Sequence, residues 1–234
     1  MISREEFFTR WSEIHGGAQI KGIVRWWLLI SFRLASLLQR MKISANAMTV
    51  FGVAISVLLV LLLSDEGSSN KPPTLSILTA LFLLVISLAA DGIDGSLALL
   101  TGSSGRKGAA LDAIADRIAE SLWALAFIQI GADMRIVIVA WLAAQSQEYI
   151  RARLAGLGVS EIGVVTLCER PVRASFLAVA LVIALIFGAS GEEEILGLTL
   201  SLAMTIAASL WFLFQSIALW QLSRFAIRST IGPS

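Results

Sequence analysis

Long apolar stretches recur along this chain, and they constrain its fold more than any other feature. They cover residues 50–63, 75–90, 119–130, 136–144, 175–187 and 195–219. A hydrocarbon core about 30 Å thick is crossed by roughly 20 helical residues, so each stretch approaches a membrane span once its small or polar flanks are included. Only 15% of the residues are charged, against about 25% in a typical soluble domain. The pattern predicts an all-α integral membrane protein with six transmembrane helices.

The chain before the first span has a different character. Residues 21–42 combine two adjacent tryptophans with a basic stripe on one helical face, formed by Arg25, Arg33 and Arg40. Such a helix favours the membrane interface over a crossing position, and a seventh span is the alternative. We therefore predict that residues 1–43 form a cytoplasmic arm and an interfacial amphipathic helix. Residues 44–225 would form the six-span domain, and residues 226–234 a cytoplasmic tail.

The basic residues predict the orientation of the chain in the membrane. Six spans place both termini on one side. All of the 18 Lys and Arg residues except Lys71 and Arg135 fall on that side. Because cytoplasmic loops carry an excess of basic residues, both termini and the turn between the second and third spans are predicted to be cytoplasmic.

Four aspartates flank a Gly-Ser-rich turn between the second and third predicted spans. Asp91 and Asp94 precede the turn, and Asp112 and Asp116 follow it at nearly equal distances. Spacings of three and four residues put each pair on one helical face, so an antiparallel hairpin brings all four carboxylates to one level. Such a cluster is costly in an apolar setting unless cations bind, and hard carboxylate oxygens suit Mg²⁺ or Mn²⁺. We predict a metal site here.

A second interpretation of the aspartates is local neutralisation or helix capping. The basic residues near them are Arg106, Lys107 and Arg117. A symmetric placement of four carboxylates is more than capping requires, which favours the metal site. Gly95 and Gly108 adjoin the aspartates, and their missing side chains favour the approach of a bulky anionic ligand to the helix backbone. For Gly92 we favour close packing between helices.

These residues also carry a family resemblance. The pattern Asp91-x-x-Asp94-Gly95-x-x-Ala98, followed by Gly108-x-x-x-Asp112-x-x-x-Asp116, resembles the signature of the CDP-alcohol phosphatidyltransferases. Residues 46–52 also resemble the segment that leads into the first span of that family. One position departs from the signature, because the arginine that follows the alanine in the family is Leu99 here.

The resemblance implies a metal-dependent membrane enzyme. It would transfer a phosphatidyl group from CDP-diacylglycerol to a hydroxyl and release CMP, as a homodimer among the lipids of a bacterial cytoplasmic membrane. Asp91, Asp94 and Asp112 would be the main ligands of two divalent ions, Mg²⁺ or Mn²⁺. Asp116 would contribute to the metal site and accept the proton of the attacking alcohol. The residues expected to bind the nucleotide and CDP-lipid are Asn46, Thr49, Gly95, Ala98, Arg106 and Gly108.

Two later segments, 149–153 and 169–173, resemble the bacterial phosphatidylinositol-phosphate synthase branch of the family. The basic positions there are associated with the phosphate of the incoming alcohol, and arginine forks match phosphate oxygens. The alternative is that they anchor the chain to anionic headgroups. The predicted acceptor-phosphate residues are Arg151, Arg153, Arg170 and Arg173. We expect inositol phosphate as the acceptor, with glycerol 3-phosphate, and hence a phosphatidylglycerophosphate synthase, as the alternative.

Other functional classes fit the sequence less well. A cation-coupled transporter could use the aspartates as its ion site, but inverted repeats and broken helices are missing. A catalytically inactive relative with a scaffold role is motivated only by Leu99. The single histidine and single cysteine exclude a Cys/His zinc site. The net charge of +1 by itself argues neither for nor against nucleic acid, and we expect no nucleic-acid partner.

Overall fold

The structure is a computed structural model that describes residues 2–14, 16–64, 73–103, 105–159 and 165–231. Lys71, residues 160–164 of the predicted loop at 154–173, and residues 232–234 of the predicted tail lie outside the described residues. The helices are α1 Arg4–Ile14, α2 Gly22–Arg40, α3 Ala45–Ser64, α4 Thr74–Thr101, α5 Arg106–Gln129, α6 Met134–Gly156, α7 Arg170–Ser190 and α8 Leu200–Ile231.

The predicted class, a helical membrane protein, is confirmed. Four helices of the described chain, α3, α4, α7 and α8, are long and apolar enough to cross a membrane. The third and fourth predicted spans also lie in helices, α5 and α6. These two are more polar because α5 carries Asp112, Asp116 and Glu120, and α6 ends with Glu148 and Arg151 among its charged residues.

The described residues form two compact units, which share helices α3 to α5. The first unit comprises Met1–Ser56 and Val85–Ala119, and the second comprises Val57–Leu84 and Glu120–Ser234. In the first unit, α1, α2 and the end of α4 share an apolar core. Its buried members are Phe7, Leu28, Ala35, Ile93, Leu97 and Leu100. The N-terminal arm therefore contains a helix that is anchored by a buried aromatic residue.

Two glycines of the first unit permit close helix packing. A Cβ atom on Gly92 would lie 2.6 Å from Cζ2 of Trp27 on α2, which confirms the packing role predicted for this glycine. A Cβ atom on Gly52 of α3 would meet the Cβ of Ala90 at 3.4 Å. Next to Gly52, the hydroxyls of Ser56 and Ser87 lie 2.8 Å apart, and both Ser56 and Ser87 donate to the Gly52 carbonyl. Small residues thus join the start of α3 to α4.

The second unit packs α6 and α7 against α8. Helix α6 begins after a tight turn in which Gly131 has a positive φ of 106°. Asp133 caps the helix by accepting a hydrogen bond from the Arg135 amide at 2.8 Å, as residues with short polar side chains do at N-caps. Further along the unit, the Phe127 ring stacks on Trp211 at a centroid distance of 5.8 Å.

A short β-hairpin between α7 and α8 was not predicted from the sequence. Strands β1, Glu194–Ile195, and β2, Leu198–Thr199, pair antiparallel. Their two-residue turn, Leu196 and Gly197, has positive φ at both positions, the conformation that matches the twist of a tight hairpin. The apolar stretch that begins at residue 195 therefore enters a hairpin first, and α8 begins only at Leu200.

Candidate functional site

Three of the four predicted aspartates meet in the first unit. Carboxylate oxygens of Asp91 on α4 and of Asp112 and Asp116 on α5 all lie within 4.8 Å of one another. Asp112 is exposed, and the other two are half-buried. Three negative charges at this separation repel each other, and a divalent cation among hard oxygen ligands would relieve that repulsion. The donor set therefore fits a metal ion such as Mg²⁺ or Mn²⁺.

The helical hairpin that gathers these carboxylates follows from local sequence. Helix α4 ends at Thr101, and Gly102 adopts the left-handed conformation with φ of 65°. The Ser103 amide then donates to the Ala98 carbonyl at 3.1 Å, which closes the end of the helix. Helix α5 begins only a few residues later, at Arg106, and one residue of the predicted turn, Ser104, lies outside the described residues. A connection this short makes α4 and α5 antiparallel neighbours.

Asp94 lies apart from the group of three. The residue is only 6% exposed, and its carboxylate accepts a hydrogen bond from the Thr49 hydroxyl at 2.6 Å. The three-residue spacing puts Asp94 and Asp91 on the same side of α4, but the short hydrogen bond draws the Asp94 carboxylate toward the first turn of α3. The hairpin therefore brings the four aspartates to one region, and three of them close together.

A cavity of about 510 Å³ opens beside these aspartates. Asp94 and Asp112 line it. The six residues predicted to bind the nucleotide and CDP-lipid line it as well, namely Asn46, Thr49, Gly95, Ala98, Arg106 and Gly108. Asp112 belongs both to the cavity wall and to the carboxylate group, so the cavity and the candidate metal site are continuous.

The glycines of the cavity differ in how much space surrounds them. A Cβ atom on Gly95 would meet no heavy atom within 4 Å, so this position is open to the cavity. On Gly108, the nearest contact would be Oδ1 of Asn46 at 3.6 Å. Leu99, at the position where the family resemblance expects arginine, lines the cavity and also packs against the apolar core around Phe7. The wall at this position is therefore apolar.

One cavity residue comes from a part of the chain that no sequence pattern connects with the site. Ile14, the last residue of α1, lines the cavity with 58% of its surface exposed. A short apolar-polar pattern in an N-terminal arm gives no indication of the helix against which it will pack. The only available signal was the phenylalanine pair at positions 7 and 8, whose first member is the buried anchor of α1.

The predicted acceptor arginines lie in the second unit, where Arg151 and Arg173 bind carboxylates. Arg151 binds Glu169 through two hydrogen bonds of 3.0 and 2.8 Å. Arg173 binds Glu120 at 2.8 Å and Glu148 at 2.7 Å. The Arg173 side chain is only 2% exposed. Two carboxylates within the protein balance its charge.

The other two predicted arginines differ from these. The Arg170 guanidinium lies over the Trp123 ring at 5.3 Å from the ring centroid, a distance typical of a cation–π contact. Arg153, near the end of α6, is exposed. The four arginines therefore differ in burial: Arg153 is exposed, Arg151 and Arg170 are half-buried, and Arg173 is buried.

A buried polar network extends from Arg173. Its Nε atom donates to Oε1 of Gln215 at 3.1 Å, and Gln215 donates to Gln147 at 2.7 Å. Gln147 in turn donates to the Thr166 hydroxyl at 3.0 Å. Thr166 donates from both its amide and its hydroxyl to Glu169. The network ties α6, α7 and α8 to the segment that precedes α7.

Two titratable groups of that segment have shifted pKa values. Burial by itself would raise the pKa of the Glu169 carboxyl, but hydrogen bonds from Arg151 and Thr166 outweigh burial and lower it. Burial raises the pKa of the Cys168 thiol to about 11. Glu169 is therefore a carboxylate at neutral pH, and Cys168 is an inert thiol.

Comparison with known proteins links the described geometry to one family. The profile of the CDP-alcohol phosphatidyltransferase family matches residues 42–222. A phosphatidylinositol phosphate synthase of Mycobacteroides abscessus is 31% identical over 147 residues, which span 60% of this chain and 62% of that protein. A phosphatidylinositol phosphate synthase of Corynebacterium glutamicum is 27% identical over 210 residues, covering 86% of this chain and 88% of that one.

Solved structures share the fold. The phosphatidylinositol phosphate synthase of Mycobacterium tuberculosis in complex with manganese and citrate aligns with a TM-score of 0.65 and 20% identity, over 87% of this chain and 93% of that chain. The same enzyme with CDP-DAG bound aligns with a TM-score of 0.64 and 22% identity, over 84% of this chain and 93% of that chain.

Proposed function

The chain belongs to the CDP-alcohol phosphatidyltransferase family, and on this basis we propose that it transfers the phosphatidyl group of CDP-diacylglycerol to a phosphorylated alcohol. One observation carries the proposal. The three clustered carboxylates of Asp91, Asp112 and Asp116 adjoin a cavity whose walls also hold Asn46 and Arg106. A metal-binding edge next to a cavity with neutral and cationic hydrogen-bond donors suits a nucleoside diphosphate that carries a lipid.

The reaction is a direct displacement at phosphorus. The acceptor hydroxyl attacks the lipid-side phosphorus of CDP-diacylglycerol, and CMP leaves with the electron pair of the broken P–O bond. The hydroxyl proton passes to a carboxylate oxygen of Asp116, which acts as general base. Asp91, Asp94 and Asp112 would hold two divalent ions, Mg²⁺ or Mn²⁺, with Asp116 contributing. When bound, such ions neutralise the diphosphate and stabilise the charge that develops on it.

Inositol phosphate is the acceptor that the comparisons favour, because both curated relatives are phosphatidylinositol phosphate synthases. Glycerol 3-phosphate is the second candidate. We assign direct phosphate contact to Arg151, Arg153 and Arg170, whose guanidinium groups match phosphate oxygens. For Arg173, the two carboxylates and near-complete burial favour a positioning role. In this role it holds Glu148, in the second half of α6, and the carbonyl of Cys168, in the segment before α7.

The membrane arrangement that we propose has six spans, α3 to α8, with both termini and the aspartates on the cytoplasmic side of a bacterial cell membrane. Helix α2 would lie in the interface. Its exposed apolar residues follow helical spacing along one face and include Ile23, Trp26, Leu34 and Leu37. Exposed Arg25 and Arg33 would contact anionic headgroups. A homodimer is part of the same proposal.

The test is an assay of the purified protein for CMP release from CDP-diacylglycerol, with inositol phosphate, glycerol 3-phosphate, inositol and glycerol as acceptors. We expect metal-dependent release that is fastest with inositol phosphate.

Asp91→Asn, Asp94→Asn and Asp112→Asn should each abolish turnover and weaken metal binding, whereas Asp116→Asn should reduce turnover more than metal affinity. Glu193→Gln, an exposed carboxylate in the loop before β1, is the matched control. Near-normal turnover of Asp91→Asn, Asp94→Asn or Asp112→Asn would contradict the metal assignment.

The acceptor assignment has its own readout. Arg151→Gln and Arg170→Gln should raise the KM for the phosphorylated acceptor and leave the KM for CDP-diacylglycerol unchanged. Equal rates with inositol and inositol phosphate would instead show that the arginines serve only as membrane anchors.

A further inference from the structure

Helix α1 contributes a wall residue to the cavity, although it lies outside the residues 42–222 that the family profile matches. Ile14 is 58% exposed, and its exposed surface faces a concave space rather than a flat exterior. A ligand that fills the cavity would cover this surface and remove apolar area from water. Ile14 is therefore a contact residue for whatever occupies the cavity.

The position of Ile14 is fixed by the packing of its helix. Phe7, two turns earlier on α1, is fully buried and packs in one core with residues of α2 and of the end of α4. Its ring lies 5.3 Å from that of Phe32. In the last turn of α1, the Ser12 hydroxyl donates to the carbonyl of Ala18, beyond the helix, at 3.0 Å and ties the following chain to α1. These contacts fix the position of α1 and therefore the position of Ile14 at its end.

The lining of the cavity indicates which part of a CDP-lipid meets Ile14. The lining residues come from the first turns of α3 and α5 and from the last two turns of α4. The cavity therefore lies at one end of these helices, where a headgroup resides, whereas acyl chains must run along the apolar lengths of the spans. The diphosphate belongs beside Asp112 and Arg106. The remaining part of the headgroup is the nucleoside, whose base has flat, weakly polar faces.

We propose that Ile14 of α1 contacts the cytidine of the bound CDP-lipid, so that the N-terminal helix forms part of the nucleotide site. This inference rests on the proposed function. It assigns to the arm a role in substrate binding, and it places the nucleoside against apolar residues of the cavity lining, which include Ile14, Ala98 and Leu99.

The experiment compares Ile14→Ala with Thr9→Ala, a matched control in which another β-branched, exposed residue of α1 is shortened away from the cavity. For each protein, the KM for CDP-diacylglycerol, the KM for the acceptor and the inhibition constant of CMP are measured. Ile14→Ala should raise both the KM for CDP-diacylglycerol and the inhibition constant of CMP by about three- to tenfold, because part of an apolar contact is lost. The KM for the acceptor should stay unchanged, and Thr9→Ala should match the wild type.

CMP separates the nucleoside from the lipid, since it lacks the acyl chains. A raised KM for CDP-diacylglycerol with an unchanged inhibition constant of CMP would mean that Ile14 contacts the lipid, and would overturn the proposal. Unchanged values of both constants would overturn it as well. The wild-type rate tests the proposed function separately. If the wild type released no CMP, direct calorimetric binding of CMP to both variants would still decide whether Ile14 contacts the nucleoside.

Discussion

The Thr49 hydroxyl donates a 2.6 Å hydrogen bond to Oδ2 of Asp94, which connects the start of α3 to a buried aspartate of the cavity wall. Both residues are buried, with 8% and 6% of their surfaces exposed. A hydrogen bond from a hydroxyl to a buried carboxylate is charge-assisted. It also fixes the direction in which the remaining lone pairs of the Asp94 carboxylate point. Thr49 therefore orients Asp94 in addition to lining the cavity.

Removal of this hydroxyl should impair catalysis without disturbing the fold. Thr49→Val keeps the shape of the side chain but leaves Asp94 without its donor. Hydrogen bonds to charged groups contribute about 1.5–3 kcal/mol, so we expect kcat/KM for CMP release to fall by about tenfold or more. Thr49→Ser restores the donor and should recover most of the activity. Equal activities of the valine and serine variants would show that the bond has no role in turnover.

Gly92 and Gly95 lie one turn apart on α4 and should respond in opposite ways to the same substitution. Gly92→Ala places a Cβ atom 2.6 Å from the Trp27 ring, and such overpacking costs about 1–3 kcal/mol. Its melting temperature should fall. Gly95→Ala meets no neighbour within 4 Å and replaces a poor helix former with a good one, so its melting temperature should equal or exceed that of the wild type while the KM for CDP-diacylglycerol rises. A Gly95→Ala enzyme with wild-type kinetics would argue against ligand approach at this position.

Much of the first unit could be predicted from the sequence because its determinants are local. The α4–α5 hairpin and its group of carboxylates follow from features of neighbouring residues. These features are the spacing of the aspartates, the short glycine-rich turn and the long apolar stretches. The separation of Asp94 from the other three aspartates could not be predicted in the same way. It depends on Thr49, which lies 45 residues earlier in the chain, and on the side-chain packing that brings α3 to α4.

In the second unit, even fewer side-chain contacts could be predicted from the sequence. Arg151 and Arg173 were predicted as anion-binding residues from their type and position, but the partners that balance them are distant in the chain. Glu120 is 53 residues from Arg173, and Glu148 is 25 residues away. A sequence pattern reports the charge of a side chain, whereas only the packing of α5 to α8 determines which charge lies beside it.

Arg173 should stabilise the second unit through these partners. Removing one member of a buried ion pair costs about 3–5 kcal/mol, because the remaining charge is left uncompensated. We therefore expect Arg173→Met to lower the free energy of unfolding by about that amount, since Glu120 and Glu148 would both lose their cation. Arg228→Met, at an exposed position near the end of α8, is the control and should have little effect.

A triple variant tests the physical cause of this effect. When Arg173→Met is combined with Glu120→Gln and Glu148→Gln, the uncompensated charges disappear. Denaturant unfolding in detergent should then show a partial recovery of stability. A triple variant as unstable as the single variant would mean that lost packing of the arginine side chain, and not its charge, is responsible.

The ion pair between Glu169 and Arg151 should make stability depend on acid pH. Burial by itself would raise the pKa of Glu169, but the hydrogen bonds from Arg151 and Thr166 outweigh it and hold the pKa below its ordinary value of 4.5. The folded chain therefore binds a proton at Glu169 less readily than the unfolded chain does. The resulting stabilisation is fully present above the ordinary pKa and is lost as pH falls through the lower pKa of the folded state.

The difference in melting temperature between the wild type and Glu169→Gln measures this contribution. It should be constant around neutral pH and should shrink progressively as pH is lowered beneath 4.5, because protonated Glu169 resembles glutamine in charge. Glu193→Gln, at an exposed position, should give a difference near zero throughout. A difference for Glu169→Gln that stays constant into strong acid would show that the hydrogen bonds stabilise the segment before α7 without any contribution from the charge of Glu169.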